Sequence, residues 1–231
     1  MKLKLILLLV VIFSVTAAHV SAQSSVYIDP FLGGTEQGPV IAHNESAKKI
    51  TLDAAQMLKR LLEEKKIAAT LSRDQDASMS VDERVVKART RGSNVYVAIN
   101  LSKTDKDCIW LYYPQQIQQA QNKPQKKKSL GGSLDNLLRQ DRVKKSGQLA
   151  EGVYNSLKQK SLALCLEKQP GSKKFESDYV LENANSPVVI LDFGISDSAS
   201  PYVLDSALMS KIINAVSDGI KEYFTASQPN R

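Results

Sequence analysis

Apolar residues recur along this chain at two spacings, and the alternation between the two sets out its elements. Short runs dense in β-branched and aromatic residues predict strands: "SVYID" (25–29), "IAATLS" (67–72), "NVYVAI" (94–99), "CIWLYY" (108–113), "DYVLE" (178–182) and "VVILD" (188–192). Several are apolar almost throughout, as expected of strands covered on both faces. Between them the apolar positions step by three and four. Ile50, Ala54, Met57, Leu58, Leu61 and Leu62 predict a helix over 46–65. "SVDE" (80–83) is a capping box that opens a second helix through Val85 and Ala88. Leu149, Val153 and Leu157 mark a third, and Leu208, Ile212, Val216, Ile220 and Tyr223 a fourth. This alternation predicts one α/β domain, a largely parallel twisted sheet of about six strands with helices on both faces.

Two stretches break the rhythm. "PQQIQQAQNKPQKKKSLGG" (114–132), rich in Gln and Lys, reads as a long surface insertion. "SLDNLLRQDRVKK" (133–145) follows it with Leu134, Leu137 and Leu138 at helical spacing. That trio either begins the third helix or forms a short helix docked back on the domain, which leaves open whether 114–145 covers a cleft. At the other end, Lys2 and Lys4 accompany an apolar core from Leu3 to Val15, and Val20-Ser21-Ala22 supplies small residues. The core is too short for a membrane span, and the pattern is that of a signal peptide over 1–22, cut near Ala22. A periplasmic or secreted protein is expected, with its domain over 23–225 and a disordered tail over 226–231.

The net charge of +7 changes the picture only locally, because much of the surplus sits in "NKPQKKKS" (122–129) and "RVKK" (142–145). Export makes nucleic acid an irrelevant partner. A contact of 122–128 with anionic wall polymer or a membrane surface stands beside the simpler reading of a solvated loop. The two cysteines, Cys108 and Cys165, are free to pair in an oxidising compartment, and their spacing does not decide whether they do.

Candidate chemistry concentrates where the first strand ends. Asp29-Pro30 opens onto Gly33 and Gly34, a landing that ordinarily presents a polar side chain to a cleft, yet Phe31 and Leu32 stand there. Gly33, Gly34, Gly38 and Gly194 are expected to serve tight turns with positive φ. Arg73 and Arg84 are expected to partner buried carboxylates and loop carbonyls. No G-x-S-x-G elbow is present, and of two histidines, His19 lies in the leader and only His43 in the domain.

Seven pieces in order resemble the zinc-dependent N-acetylmuramoyl-L-alanine amidases of the Amidase_3 family, over about Val26 to Phe224. They are "IDPFLGG" with Gly38, "KKITLDAAQMLKRLL", "ATLSRDQDASMSVDERVVKAR", "NVYVAIN", "SGQLAEGVYNSL", "YVLENANSPVVILDFGISD" and "DGIKEYF". The resemblance implies an enzyme fold that cleaves the bond between glycan and stem peptide in bacterial peptidoglycan. Its zinc is held by two histidines and a glutamate, and a further glutamate is the general base. In register, the three ligand positions are Leu32, Ala47 and Asn100, and the base position is Asp192. A catalytic zinc takes three ligands from His, Cys, Asp and Glu, and one domain histidine cannot make a two-histidine site in a monomer. The resemblance therefore implies that the family zinc is lost and that no metal or other cofactor replaces it. Leu32 and Ala47 would fill the vacated volume, Asn100 would leave a neutral amide, and Asp192 would be vestigial. The expectation is an exported, non-catalytic protein that binds peptidoglycan or an envelope protein of wall remodelling. The polar residues expected near the cleft are Asp29, Glu36, His43, Glu45 and Asp192, and the alternative is an active amidase or related hydrolase with a site rebuilt around Asp192, Asp29 and His43.

Overall fold

The computed structural model describes residues 24–40, 46–115, 130–160, 165–172, 175–197, 200 and 205–227. The leader, His43, Glu45, the basic run 122–128 and residues 228–231 lie outside them. In chain order the elements are β1 (Ser25–Pro30), α1 (Ala47–Glu64), β2 (Ala68–Leu71), α2 (Val81–Arg91), β3 (Val95–Lys103) and β4 (Cys108–Tyr113). Then follow α3 (Leu130–Gln159), β5 (Leu166–Pro170), α4 (Phe175–Asn183), β6 (Val188–Ile195) and α5 (Ser206–Ala226).

The strands form one six-stranded sheet in the order β2-β1-β3-β6-β4-β5. β1, β2, β3 and β6 run parallel, β4 lies antiparallel to β6, and β5 is parallel to β4. One face packs on α1, α3 and α5 through residues such as Leu58, Leu149 and Ile212, against Val97 and Leu191 of the sheet. The other packs on α2 and α4 through Val85 and Val180, against Tyr96 and Ile190. Strands enclosed on both sides in this way need the continuous apolar runs seen in β3 and β6. Ser80 and Glu83 make the expected capping box at α2, and Gly92 ends that helix in the left-handed conformation.

Two expectations are corrected. Residues 178–182 are not a strand but lie in α4. Ser177, Val180, Leu181 and Ala184 are buried at steps of three and one, a helical face that a five-residue window conceals. The strand beside β4 is β5, "LEKQP", which is half-buried, polar and closed by a proline, as suits the sheet's edge. Gly194 sits in β6 without positive φ. A Cβ there would lie 2.7 Å from Thr104 Oγ1 and 3.0 Å from the Trp110 indole nitrogen, so close packing accounts for it.

Two open points are resolved, and one boundary moves. Cys108 and Cys165 form a disulfide that joins the start of β4 to the residue before β5. The leucines at 134–138 begin the third helix, because α3 is one 30-residue helix. Its front projects: Leu134, Leu137 and Leu138 are 57%, 59% and 61% exposed, and burial begins at Arg142 and Val143. Arg142 anchors that point by donating to the carbonyls of Leu181 and Glu182 at 2.8 and 3.0 Å. The last helix reaches Ala226, one residue past the expected boundary, and Ser227 closes it.

Candidate functional site

A cavity of about 440 Å³ opens at the ends of β1 and β3. The β1–α1 loop supplies Phe31, Leu32, Glu36 and Gly38 to its wall, and β3 supplies Asn100, Leu101, Ser102 and Lys103. Met79, Val81 and Arg84 line it from the α2 side, and Glu176 and Ser177 from the first turn of α4. Residues 134–145 do not line it.

The loop is held rigidly from beneath. Arg73 donates to the carbonyls of Pro30, Phe31 and Lys48 at 3.1, 3.3 and 3.0 Å. Arg84 donates to those of Met79, Pro30 and Leu32 at 3.1, 3.0 and 3.2 Å, and its guanidinium lies 5.5 Å from the centre of the Phe31 ring. Both arginines thus take the role expected of them. The Phe31 amide donates to Ile99 O at 2.9 Å, which ties the loop to β3. Gly33 and Glu36 exchange backbone hydrogen bonds at 3.0 Å. The Gly34 amide donates to Asp76 at 2.6 Å, and Lys48 bridges Asp76 and the Gly34 carbonyl. Gly33, Gly34 and Gly38 all have positive φ, as the turn requires, and so does Leu32, at 67°.

Below the loop lies a buried charge network. Asp29 is fully buried, and its Oδ1 accepts from Arg84 at 2.6 Å and Ser72 at 2.5 Å while Oδ2 accepts from Tyr96 at 2.5 Å. Burial by itself depresses the Arg84 pKa, but the Asp29 carboxylate outweighs it and holds the guanidinium above its usual value. Burial, with the Asp29 charge second, pushes the Tyr96 phenol well above its ordinary range. Asp29 was expected near the cleft. It instead supports the loop and does not line the cavity, because both its oxygens are committed beneath it.

The four positions singled out by the family resemblance come to one place. A methyl added to Gly38 would fall 2.5 Å from Leu32 Cδ1 and 2.8 Å from Ala47 Cβ, so those three residues close on one another. Ala47, the first residue of α1, is fully buried. Leu32 and Asn100 share the cavity wall, and Asn100 is the direct neighbour of Asp192 across the β3–β6 ladder. Asp192 is fully buried, outside the cavity wall, and accepts from Ser102 Oγ at 2.9 Å. Its charge adds to burial in pushing the Tyr112 phenol up to about 12. The cavity's lining from Met79, Val81, Glu176 and Ser177 went unread in the sequence. The last two stand just before 178–182, and a helix through that stretch places them in its first turn.

With this sheet order and a loop-and-strand cleft of this kind, the molecule has the architecture of a wall-amidase domain. Residues 26–222 match the Amidase_3 family, described as N-acetylmuramoyl-L-alanine amidase, and the chain belongs to that family. It is 26% identical over 208 residues to the probable cell wall amidase LytH of Staphylococcus saprophyticus. That alignment takes in 87% of this chain but 58% of LytH, so the chain spans less than two thirds of that relative's length. Among solved structures it is similar to N-acetylmuramoyl-L-alanine amidase AmiC2 of Nostoc punctiforme. There the TM-score is 0.68 at 19% identity, covering 87% of this chain and 97% of the other. It is also similar to the CwlD amidase of Clostridioides difficile, solved in complex with the GerS lipoprotein. That match has a TM-score of 0.64 at 19% identity, over 89% of this chain and all of CwlD's, 100%. These likenesses establish the fold.

The zinc implied by the family can be tested against the donors present. Leu32 and Ala47 offer hydrocarbon and Asn100 a neutral amide, which leaves Asp192 as the one anionic donor among the four positions. That set does not fit a catalytic zinc. Among the described residues, the His, Cys, Asp and Glu side chains grouped at metal-binding distance are Cys108, Cys165 and Glu167. The two sulfurs there are bonded to each other.

Proposed function

We propose that this protein is an exported, non-catalytic member of the amidase family that binds peptidoglycan through the cleft its relatives use for hydrolysis. The observation that carries this reading is the pairing of a rigidly held cleft with a wall poor in metal donors. Leu32 and Ala47 meet where ligands would converge, while Arg73 and Arg84 keep the surrounding loop in shape. A binding role needs the shape and not the metal. Export rests on the leader pattern of residues 1–22. Among the described residues no helix is long and apolar enough to cross a membrane.

The decisive experiment incubates the purified protein with isolated sacculi at moderate salt. Pelleting with the sacculi, together with no release of stem peptide with or without added zinc, is the expected result. Chelator-sensitive release would overturn the non-catalytic reading and favour a rebuilt hydrolase. Of the residues such a site would use, Asp29 is already engaged by Arg84, Ser72 and Tyr96. A second reading, binding to an envelope protein, is supported by CwlD, which was solved with a lipoprotein bound. Absence of pelleting together with capture of a single envelope protein would favour it.

A further inference from the structure

The front of α3 is helical without a core to pack on. Residues 134–141 are exposed throughout, and burial begins only at Arg142 and Val143. A stretch this short gains little helical stability in water without tertiary packing. Yet it presents Leu134, Leu137 and Leu138, each more than half exposed, on a single face. Lys144 and Lys145, both exposed, lie seven residues beyond Leu137 and Leu138, two turns along that same face. Lys145 also pairs with Asp141 at 2.6 Å. Further cations stand behind them: burial first, then the nearby charges of Arg139 and Arg89, depress the Arg142 pKa. The chain entering the helix brings Lys123, Lys126, Lys127 and Lys128, with no acid from 114 to 132.

This front lies at the far end of the molecule from the cleft. Arg142 donates to the carbonyls of Leu181 and Glu182 at the end of α4. Ser146 Oγ accepts from the amide of Val188, the first residue of β6, at 2.9 Å. The cavity sits at the opposite end, against the start of α4 and the end of β3. We propose that the leucine face of α3 docks on the surface of an anionic phospholipid bilayer. The leucines enter the acyl boundary, and Lys144 and Lys145 meet the headgroup phosphates. Three leucines beside a group of cations suit that boundary better than the alternatives. A hydrated wall polymer offers the leucines nothing apolar to enter. An antiparallel second copy centred on the leucines would set Asp141, which lies in line with them, against Leu134. Docked on a bilayer, the protein holds its cleft outward from the membrane, whatever the cleft binds.

The test is flotation of residues 23–231, which contain every element described, with vesicles. One set is phosphatidylcholine alone, and the other is an equal mixture with phosphatidylglycerol. We expect saturable binding to the anionic vesicles, weakened by raised salt, and none to the neutral ones. The triple variant Leu134→Ser, Leu137→Ser and Leu138→Ser should bind the anionic vesicles at least about tenfold more weakly. Its three positions are exposed, so its far-UV circular dichroism should match the parent's. Lys144→Glu with Lys145→Glu should weaken the same binding. Absence of binding to anionic vesicles, equal binding to both kinds, or undiminished binding by the leucine variant each overturn the proposal. Sacculus pelleting that depends on the leucines assigns the face to the wall and overturns it too. So does self-association in sedimentation velocity that the leucine variant loses while the parent binds no vesicles, which assigns the face to a second copy.

Discussion

Leu32 holds a backbone conformation that its own side chain disfavours. Its φ of 67° is left-handed, which costs a residue with a Cβ roughly 1–2 kcal/mol. The conformation persists because its neighbours over-determine it: Arg84 grips the Leu32 carbonyl, Arg73 grips Pro30 and Phe31, and Gly33 is tied to Glu36. Histidine is enriched at such angles, so the backbone at 32 remains suited to one. The variant Leu32→His with Ala47→Glu and Asn100→His should therefore fold and gain zinc affinity, read by equilibrium dialysis. A well-folded triple variant that binds no more zinc than the parent would show that the register of at least one position is wrong. The supporting pair gives a second outcome. Asp29→Ala strands Arg84, 3% exposed, without its counter-charge and should cost about 3–5 kcal/mol in urea unfolding. A loss under about 1 kcal/mol would mean the pair is not buried as described. The replaced positions could be read in the sequence because they sit inside a glycine-framed motif. Asp29's task could not, since a carboxylate at a strand end looks alike whether it faces a cleft or an arginine from 55 residues away.

Among the elements, the sequence announced those whose burial covers a whole strand or a long helical stripe, such as β3, β6, α1 and α5. It misled where the buried set is short. Val180 and Leu181 are adjacent and apolar in either conformation, and only Ser177 and Ala184 on their flanks disclose the helix. β5 gave no signal because an edge strand needs little apolar surface. The contact between α3 and α5 was equally silent, since it depends on two glycines. A Cβ at Gly219 would lie 2.6 Å from Val153 Cα and 2.7 Å from Gly152 O. Helix propensity favours alanine over glycine by about 1 kcal/mol. The obstructing atoms are backbone, however, and cannot swing aside. Gly219→Ala should thus be net destabilising by about 1–3 kcal/mol, measured as a fall in the urea midpoint with unchanged slope. An unchanged or raised midpoint would show that the helices have room to part.

At the scale of the molecule, the two cores differ in kind, and the difference has a consequence in alkali. The core under α1, α3 and α5 is largely aliphatic, whereas the one under α2 and α4 holds Tyr27, Tyr96 and Tyr112. All three phenols are pushed up, by burial first and then by Asp29 for Tyr27 and Tyr96 and by Asp192 for Tyr112, the last to about 12. In the unfolded chain they ionise near 10. The folded state holds these protons more tightly, so the stability they contribute is fully present below pH ~10 and is lost as pH rises towards 12 and beyond. Urea midpoints should therefore fall steeply from pH ~10 upward. Tyrosinate absorbance should account for only part of the protein's eight tyrosines until the far-UV circular dichroism collapses. Ionisation of all eight near pH ~10 with the dichroism intact would mean that the second core admits water. The cleft loop, which Asp29, Tyr96 and Arg84 support from beneath, would then lack the rigid support on which the proposed binding role depends.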